Sequence, residues 1–400
     1  MLNRLEIQNF KGISKLDLKF KRINIIVGKN NTSKTSILES IDTLYNHDDK
    51  EMASIGRGRY FTSLIKAGKK EAEILGEESN SKSKLKLSIK HATTEEIVVD
   101  ARKRLIEFLK DKEPFFGIEK NKKYPEMIDK IVDEVLTPEL IKELKGLKVT
   151  NAKDEKIILE IDPEKLTKST VRIRDNLLKK YSIQLMASFV IQAFFQPGNF
   201  FLGGPEDNKD KAKSKEAKLI LDLRTNVDSR ITPENEKKTT EIESYILANA
   251  LVPGLIKFNL NFITYKDVPD PIPYAFMGDG FKAIIGMFWE YTPKLESKST
   301  TKIFLLDEPE ICMHPAYINE LVKMLIKMAK EQNVQIVIST HSLDLINEFL
   351  ICQEEREFLE KEFQIIKTNC DEKTREIITE SFGFADAEQK DKLAIDLRGF

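Results

Sequence analysis

The stretch from Ile23 to Ser40 constrains the fold more than any other part of the chain. An apolar run of strand length ends at Gly28, and five residues later Ser33, Lys34 and Thr35 open a segment with helical spacing of its apolar residues. A strand, a tight loop and a helix N-terminus are therefore predicted in succession. Such a loop turns backbone N–H groups toward one point, which suits a bound triphosphate.

The loop fits the pattern G-x-x-x-x-G-K-[ST], except that Ser33 replaces the second glycine. In that pattern Lys34 reaches the β- and γ-phosphates, and the Thr35 hydroxyl ligates Mg²⁺. Serine at position 33 is small, and its hydroxyl can donate a hydrogen bond. A strand, turn and helix with a coincidental Lys-Thr pair is the alternative interpretation. The predicted nucleotide-binding residues of the loop are Gly28, Asn30, Asn31, Thr32, Ser33, Lys34, Thr35 and Ser36.

Composition limits the class of protein. A chain of 400 residues has room for about two or three domains. Its net charge of -1, from 64 basic and 65 acidic residues, gives no overall attraction to nucleic acid. The three cysteines form no C-x-x-C pair, which argues against a disulfide framework or zinc site and favours a reducing, cytoplasmic location.

Alternating and continuous apolar patterns predict strands in the first 100 residues. Residues 1–27 contain two alternating segments and then a run that is apolar except for Asn24, and further strands are predicted at Lys84–Ile89 and at Ile97–Val99. From about Ala101 the apolar residues take helical spacing instead. We therefore predict a mainly helical insertion after an N-terminal β lobe.

Residues 194–218 have a distinctive composition. A loop crowded with aromatic residues at 194–205 precedes lysines at positions 209, 211, 213, 215 and 218. A solvated surface and a nucleic-acid contact, through base stacking and phosphate neutralisation, both fit this pattern.

Two further apolar strands are followed by chemically active side chains. Thr301–Leu306 precedes Asp307 and Glu308, and Val334–Ile338 precedes a Ser-Thr-His segment ending at His341. The carboxyl ends of parallel strands share one edge of a sheet, where ligands bind. We therefore expect Asp307 to hold Mg²⁺, Glu308 to orient and deprotonate the attacking water, and His341 to contact the γ-phosphate. A surface acidic pair and a helix-capping or core histidine are the alternatives.

A glycine-flanked turn, Gly278-Asp279-Gly280, precedes an almost wholly apolar helix. Backbone N–H groups at such a helix start form another anion site, although a simple turn before a buried helix explains the pattern equally well.

Together these motifs resemble the ABC-type ATPase heads of the SMC and RecF kind, and more closely the OLD-like ATPases that carry the AAA designation. In this resemblance Gly28–Thr35 is the Walker A motif and Ile303–Glu308 is the Walker B motif, with His341 as the switch histidine. The Gly278–Gly280 turn stands in the place of the signature motif, without its Ser-Gly-Gly sequence. Lys11 lies in an early turn whose basic residue packs near the nucleotide in that family.

The resemblance implies an α/β fold: a P-loop NTPase of the ABC-ATPase type, with a mixed sheet, flanking helices, an N-terminal antiparallel β lobe and a mainly helical insertion. It divides the chain into a first part of the ATPase head (1–100), the insertion (101–244) and a second part of the head (245–400). Its ligands would be ATP and Mg²⁺. Glu308, His341 and Lys34 would be catalytic, and Thr35 and Asp307 would bind the metal.

The same resemblance implies a homodimer or higher homo-oligomer of head-to-tail ATPase heads, with each ATP between the Walker motifs of one subunit and the Gly278–Gly280 turn of the next. The chain has no Asp-x-Asp cluster of a Toprim nuclease domain after His341. We therefore expect it to control a separate effector, a nuclease or toxin, in prokaryotic anti-phage defence. A RecF-like DNA-binding ATPase in DNA repair and a non-hydrolysing ATP-binding interaction module are the alternatives, and membrane association is not expected.

Overall fold

The computed structural model describes residues 1–46, 61–79, 84–111, 124–152, 154–160, 217–225, 227, 232–248, 254–290, 303–311 and 313–398. The strands are β1 (Leu2–Phe10), β2 (Ile13–Lys19), β3 (Ile23–Gly28), β4 (Glu71–Glu78), β5 (Lys84–His91), β6 (Lys145–Asn151), β7 (Glu155–Glu160), β8 (Ala217–Ile220), β9 (Leu255–Phe258), β10 (Phe262–Tyr265), β11 (Ile272–Pro273), β12 (Ile303–Asp307), β13 (Gln335–Ser339), β14 (Phe363–Cys370) and β15 (Ile377–Gly383). The α-helices are α1 (Lys34–Tyr45), α2 (Thr94–Asp111), α3 (Tyr124–Val135), α4 (Pro138–Glu143), α5 (Pro233–Ala248), α6 (Asp279–Glu290), α7 (Pro315–Glu331), α8 (Leu343–Ile351), α9 (Arg356–Glu362) and α10 (Phe384–Lys392).

A central sheet has the strand order β15-β14-β3-β13-β12-β8. All neighbouring strands in it are parallel except β14 and β15, which are antiparallel. The strands β3, β12 and β13 are short apolar runs, as expected for parallel strands covered on both faces. The sheet therefore brings the residues that follow β3, β12 and β13 to the same edge.

The two faces of this sheet pack into two hydrophobic clusters. Along β3, Ile23, Ile25 and Val27 join a cluster with residues of α6, α7 and α8, whereas Ile26 joins a second cluster with α1 and the N-terminal strands. Successive side chains of a strand point to opposite faces, which explains this division. Helix α1 is thus held between the central sheet and the N-terminal lobe, so its N-terminus has a fixed position.

The N-terminal lobe is an antiparallel sheet with the order β2-β1-β4-β5-β6-β7. Its strands alternate buried and exposed residues, as in β2, where Leu16 and Leu18 are buried and Asp17 and Lys19 are exposed. The predicted α/β class, with a mixed sheet, flanking helices and an N-terminal antiparallel lobe, is confirmed.

The prediction of a strand at Ile97–Val99 was wrong, because these residues lie in helix α2. Thr93 and Glu96 form a capping box at the start of this helix. The Thr93 backbone N–H donates to Glu96 Oε2 at 2.8 Å, and the Glu96 backbone N–H donates to Thr93 Oγ1 at 3.2 Å. This cap and the helical register outweigh the β propensity of three β-branched residues.

The range 101–244 supplies strands as well as helices. Strands β6 and β7 extend the N-terminal sheet, and β8 pairs in parallel with β12 in the central sheet. The described part of this range is therefore not a purely helical unit, while the division into 1–100, 101–244 and 245–400 stays a prediction. The aromatic loop and all the lysines of 209–218 except Lys218 lie outside the described residues.

A small sheet of order β11-β10-β9 lies before helix α6. Helix α6 is nearly all apolar and contributes to the cluster on the α7 and α8 face, with Ile285 and Met287 fully buried. Within the described ranges, none of the helices has the length and apolar character needed to span a bilayer.

Candidate functional site

Strand β3 ends at Gly28 in a backbone conformation that requires glycine. Its φ is 151°, and a Cβ at this position would lie 2.3 Å from the Thr368 backbone oxygen and 2.8 Å from Thr32 Oγ1. The Thr32 and Thr368 hydroxyl oxygens lie 2.7 Å apart. The end of β14, where Thr368 lies, therefore packs against the loop. The sequence did not indicate this contact of Thr368.

The loop then delivers Lys34 to the start of helix α1. Lys34 is 6% exposed, and its Nζ donates to the backbone oxygens of Gly28 at 3.1 Å and Lys29 at 3.0 Å. Burial lowers the pKa of Lys34, and the carboxylates of Glu308 and Asp307 act in the opposite direction. The ammonium group is thus held over the loop and close to the acidic end of β12.

Ser33, the residue that departs from the motif, has left-handed backbone angles of φ 63° and ψ 23° at the N-cap of α1. Its side chain makes no capping hydrogen bond, and its backbone oxygen accepts from the Ile37 N–H at 3.0 Å. Glycine adopts this conformation without steric cost, which explains why the motif prefers it. The chain therefore keeps the backbone geometry of the motif, although serine occupies a position whose left-handed conformation favours glycine.

Thr35 and Asp307 meet across the sheet edge. The Thr35 hydroxyl lies 3.0 Å from Asp307 Oδ1 and 3.1 Å from Oδ2, and the Ser339 hydroxyl at the end of β13 also donates to Asp307 Oδ1. The ends of β12 and β13 and the first turn of α1 therefore place oxygen atoms at one point. Ser339 was not among the predicted residues, although its position at the end of an apolar strand marks it.

Glu308 and His341 form the second pair at this edge. His341 Nε2 lies 3.4 Å from Glu308 Oε1, and both side chains are partly exposed. Glu308 has a φ of 49°, which is uncommon for a residue with a side chain, and its N–H donates to the Ser339 backbone oxygen at 2.9 Å. Burial is the main cause that lowers the pKa of His341, followed by the positive charge of Lys34.

These side chains line one open cleft of about 550 Å³. The N-terminus of α1 lies at this cleft, and the unpaired backbone N–H groups of a helix start favour a bound anion such as phosphate. The cleft is lined by Gly12, Asn30, Asn31, Thr32, Ser33, Lys34, Thr35, Ser36, Glu308 and His341. The structure thus brings together the predicted loop, the predicted base and the predicted histidine.

Other predicted residues lie elsewhere. Lys11 Nζ donates to Glu39 Oε2 at 2.5 Å, and this pairing joins the β1–β2 turn to helix α1. Asp279 accepts from Arg224 Nη1 at 2.9 Å, and the Gly278–Gly280 turn is absent from the residues that line the cleft. The predicted nucleotide contacts of Lys11 and of this turn stay predictions.

The donor set at the sheet edge fits Mg²⁺. The Thr35 hydroxyl and the Asp307 carboxylate are oxygen ligands of the kind that this ion prefers, and they already lie within hydrogen-bond distance of each other. Thr35 and Asp307 are therefore the residues that would hold the ion, with phosphate oxygens and water completing its shell.

Residues 1–346 match the AAA ATPase domain family. An uncharacterised protein of Methanocaldococcus jannaschii is 31% identical over 124 residues, which are 31% of this chain and 100% of that protein. The energy-coupling factor transporter ATP-binding protein EcfA2 of Clostridium perfringens is 38% identical over 45 residues, which are 11% of this chain and 16% of that protein. The family match confirms the predicted resemblance to AAA-designated ATPases.

Solved structures of SMC heads resemble the chain more distantly. A Smc head bound to the C-winged helix domain of ScpA has a TM-score of 0.46 and 13% identity, over 97% of this chain and 99% of that chain. The SMC head domain from Thermotoga maritima has a TM-score of 0.40 and 12% identity, over 94% of this chain and 98% of that chain. Similarities of this size carry no information about activity or partners.

Proposed function

Because the chain belongs to the AAA ATPase domain family, we propose that it binds ATP with Mg²⁺ in the cleft and hydrolyses it to ADP and phosphate. The observation that supports this most strongly is the convergence of Lys34, Thr35, Asp307, Glu308 and His341 at one edge of the sheet. The five side chains come from the ends of β12 and β13 and from the first turn of α1, the helix that follows β3.

The roles follow from the charges and positions. The amides of the loop and the Lys34 ammonium neutralise phosphate oxygens, and Glu308 accepts a proton from the water that attacks the γ-phosphorus. The bond from the attacking water to phosphorus forms as the bond to the bridging β–γ oxygen breaks. Neutral His341 donates a hydrogen bond to the γ-phosphate. Bound Mg²⁺ supplies further neutralisation of phosphate charge.

Assembly around ATP is the second part of the proposal. The Gly278–Gly280 turn does not line the cleft of its own chain, and a Cβ added at Gly278 would meet none of the described atoms within 4 Å. The N-terminus of α6 therefore offers backbone N–H groups to a ligand held by another molecule. We assign this turn to the ATP of a second copy, which gives a head-to-tail homodimer or a larger ring.

The resemblance to OLD-like ATPases supports the third part. ATP binding and hydrolysis would close and open the assembly, and a separate nuclease or toxin would read out that change in anti-phage defence. The proposal requires that the purified chain with Mg²⁺ and ATP leaves DNA intact. Degradation of DNA by the purified chain would overturn the requirement for a separate effector.

Mass measurement tests the ATP-dependent assembly. The mass of wild type and of Glu308→Gln is measured by light scattering after size exclusion, with and without ATP and Mg²⁺. Because the variant binds ATP but keeps it, we expect a larger species that persists in Glu308→Gln with ATP and reverts in wild type as ATP is consumed. A mass that does not respond to ATP in either protein would contradict assembly around ATP.

A non-hydrolysing ATP-binding interaction module is the competing function, and the side chain of Ser33 in a left-handed conformation at the loop favours it. A measurement of phosphate release distinguishes the ATPase from the non-hydrolysing module. If wild type turns over ATP and Glu308→Gln does not, the chain is an ATPase. If the two proteins release phosphate equally slowly, the chain only binds the nucleotide.

A further inference from the structure

His341 lies in the short turn between β13 and α8, and its neighbours on both sides are fixed. The Thr340 N–H donates to the Ile26 backbone oxygen at 3.0 Å, and the Thr340 hydroxyl donates to Glu310 Oε1 and accepts from the Ser342 N–H at 2.9 Å. One threonine side chain thus bridges the turn on both sides of His341.

Glu310 is a partly buried residue close to the site, and its carboxyl group has no role in the proposed chemistry. Its Oε2 is buried and has no hydrogen-bond partner among the described residues, while Oε1 accepts from Thr340. Burial raises the pKa of Glu310, and the backbone N–H of His341 is one of the groups that oppose this rise. Burying a carboxyl oxygen without a hydrogen-bond partner costs free energy, and the hydrogen bond from Thr340 to Oε1 offsets part of the cost of burying this group.

Arg398 reaches the other side of the same turn. Its Nη1 donates to the His341 backbone oxygen at 3.3 Å, across 57 positions of the chain. Asp396 orients the guanidinium by accepting from Nε at 3.0 Å and from Nη2 at 2.9 Å. Leu397, which is 2% exposed, anchors this segment in the hydrophobic cluster of α7 and α8.

We propose that Glu310, Thr340 and Arg398 form a clamp that positions His341 for ATP hydrolysis. This His341 clamp rests on the proposed function and extends it to residues from two segments that no nucleotide-binding motif contains. Glu310 follows the Walker B strand, and Arg398 lies after the last helix. The clamp therefore connects the turn of the histidine to the acidic end of β12 and to the segment around Leu397.

The geometry explains why a clamp is needed. The His341 ring is 28% exposed and lies beside Glu308, so a shift of its backbone would change the position of the ring relative to the cleft. Misplacement of a catalytic group by about 1 Å can cost up to about 100-fold in rate. Fixing the backbone from both sides restricts the ring without occupying its nitrogen atoms, which stay available to the phosphate and to Glu308.

Arg398→Ala tests the clamp, with Arg356→Ala as the matched control. Arg356 is also a partly exposed arginine with a two-pronged carboxylate contact, to Glu388 at 2.8 and 3.0 Å, but it does not reach the site. We expect Arg398→Ala to lower kcat about 10-fold with an ATP affinity within about twofold of wild type, because positioning acts on the chemical step. Arg356→Ala should keep the wild-type kcat. Equal kcat values in Arg398→Ala and Arg356→Ala would overturn the proposal.

A double-mutant cycle separates positioning of His341 from a general effect on folding. In a His341→Ala background the clamp has nothing to position, so Arg398→Ala should cause no further loss of kcat. Full additivity of the two losses would overturn the proposal. At position 310, Gln keeps an oxygen that accepts from Thr340, and we expect Glu310→Gln to retain the activity that Glu310→Ala loses.

A spectroscopic measurement tests the clamp independently of hydrolysis. The chain contains four histidines, so selective labelling of histidine gives a short list of NMR signals. Arg398→Ala should shift the signal that is lost in His341→Ala and leave the others in place. Absence of ATP hydrolysis in wild type would overturn the proposed function, whereas an unshifted His341 signal would overturn the clamp.

Discussion

The Thr35 hydroxyl lies 3.0 Å from the Asp307 carboxylate, although 272 positions of the chain separate the two residues. Thr35 is in the first turn of α1, and Asp307 ends a strand that is separated from β3 by β13. Ser339, at the end of β13, donates to the same carboxylate. Asp307 and Ser339 pair at the ends of β12 and β13, and the loop after β3 brings Thr35 back to the same point, as a site shared between the two predicted Walker motifs requires.

Thr35→Val should remove the effect of Mg²⁺ on ATP binding. Valine keeps the shape of threonine but has no oxygen to offer the ion, so we expect the affinity for ATP with Mg²⁺ to fall roughly 10-fold or more. Equilibrium binding of a fluorescent ATP analogue, with Mg²⁺ or with EDTA, measures this. Thr35→Ser is the control, since it keeps the hydroxyl. Undiminished Mg²⁺ stimulation in Thr35→Val would place the metal elsewhere.

Glu308→Gln should abolish phosphate release while ATP still binds. The amide cannot take a proton from water, and removal of a general base costs about 100-fold to 10,000-fold in rate. A coupled phosphate assay and equilibrium ATP binding, run on the same preparation, measure the two quantities. Glu320→Gln is a suitable control, because Glu320 pairs with Lys323 on α7 and does not line the cleft. Wild-type turnover in Glu308→Gln would show that another group activates the water.

The sequence was sufficient for the parts of the fold that follow from local patterns. Continuous apolar runs predicted β3, β12 and β13, and the loop after β3 predicted the helix that the structure contains at Lys34–Tyr45. Parallel strands share an edge, so placing Lys34, Asp307 and His341 near one another needed only the order of the strands.

Other features depend on long-range contacts that no local pattern encodes. Strand β8 has only four residues, and it is recognised as a strand by its parallel pairing with β12. No sequence pattern marks Arg398, and its contact with the His341 backbone joins residues 57 positions apart beside the buried Leu397. At Ile97–Val99, by contrast, local sequence decides the structure. The capping box of α2 favours a helix there and outweighs the strand preference of the three β-branched residues.

Ser33→Gly should stabilise the fold or leave it unchanged, and it should not weaken ATP binding. Glycine removes the cost of a left-handed conformation, about 1 kcal/mol, although the greater freedom of the unfolded chain offsets part of the gain. Ser33→Val is the opposing variant, because a β-branched residue fits this conformation worst. Denaturant unfolding and ATP binding measure both effects. A clear loss of ATP affinity in Ser33→Gly would mean that the serine hydroxyl contributes to phosphate binding.

Gly28→Ala should destabilise the protein strongly. The added Cβ would approach the Thr368 backbone oxygen to 2.3 Å at a φ of 151°, so the end of β14 or the loop must move. We expect a loss of more than about 2 kcal/mol in the free energy of unfolding, together with loss of ATP binding. Gly68→Ala is the matched control. Gly68 also has a positive φ, of 78°, but a Cβ there would meet none of the described atoms within 4 Å. Similar losses in the two variants would mean that backbone angle, and not the contact with β14, sets the cost.

The pH dependence of hydrolysis should follow the protonation of His341. Burial, the positive charge of Lys34 and, to a smaller extent, Arg398 lower the pKa of His341 from its ordinary 6.5, whereas Glu308 and Asp307 raise it. A lowered pKa keeps the imidazole neutral to more acidic pH.

We therefore expect kcat/KM, which reports ionisations of the free enzyme, to fall on acidification with a midpoint below pH 6.5. There His341 becomes protonated and forms an ion pair with Glu308, so the carboxylate is less available as the base. The same shift means that the unfolded state binds more protons than the folded state near this midpoint. The contribution of His341 to the free energy of unfolding accordingly decreases as the pH falls from about 6.5 toward its folded pKa. Removing the guanidinium in Arg398→Ala takes away one of the positive charges, so the midpoint should move to higher pH. In His341→Gln this limb should disappear from the residual activity. A midpoint that is the same in wild type, Arg398→Ala and His341→Gln would assign the acid limb to another group.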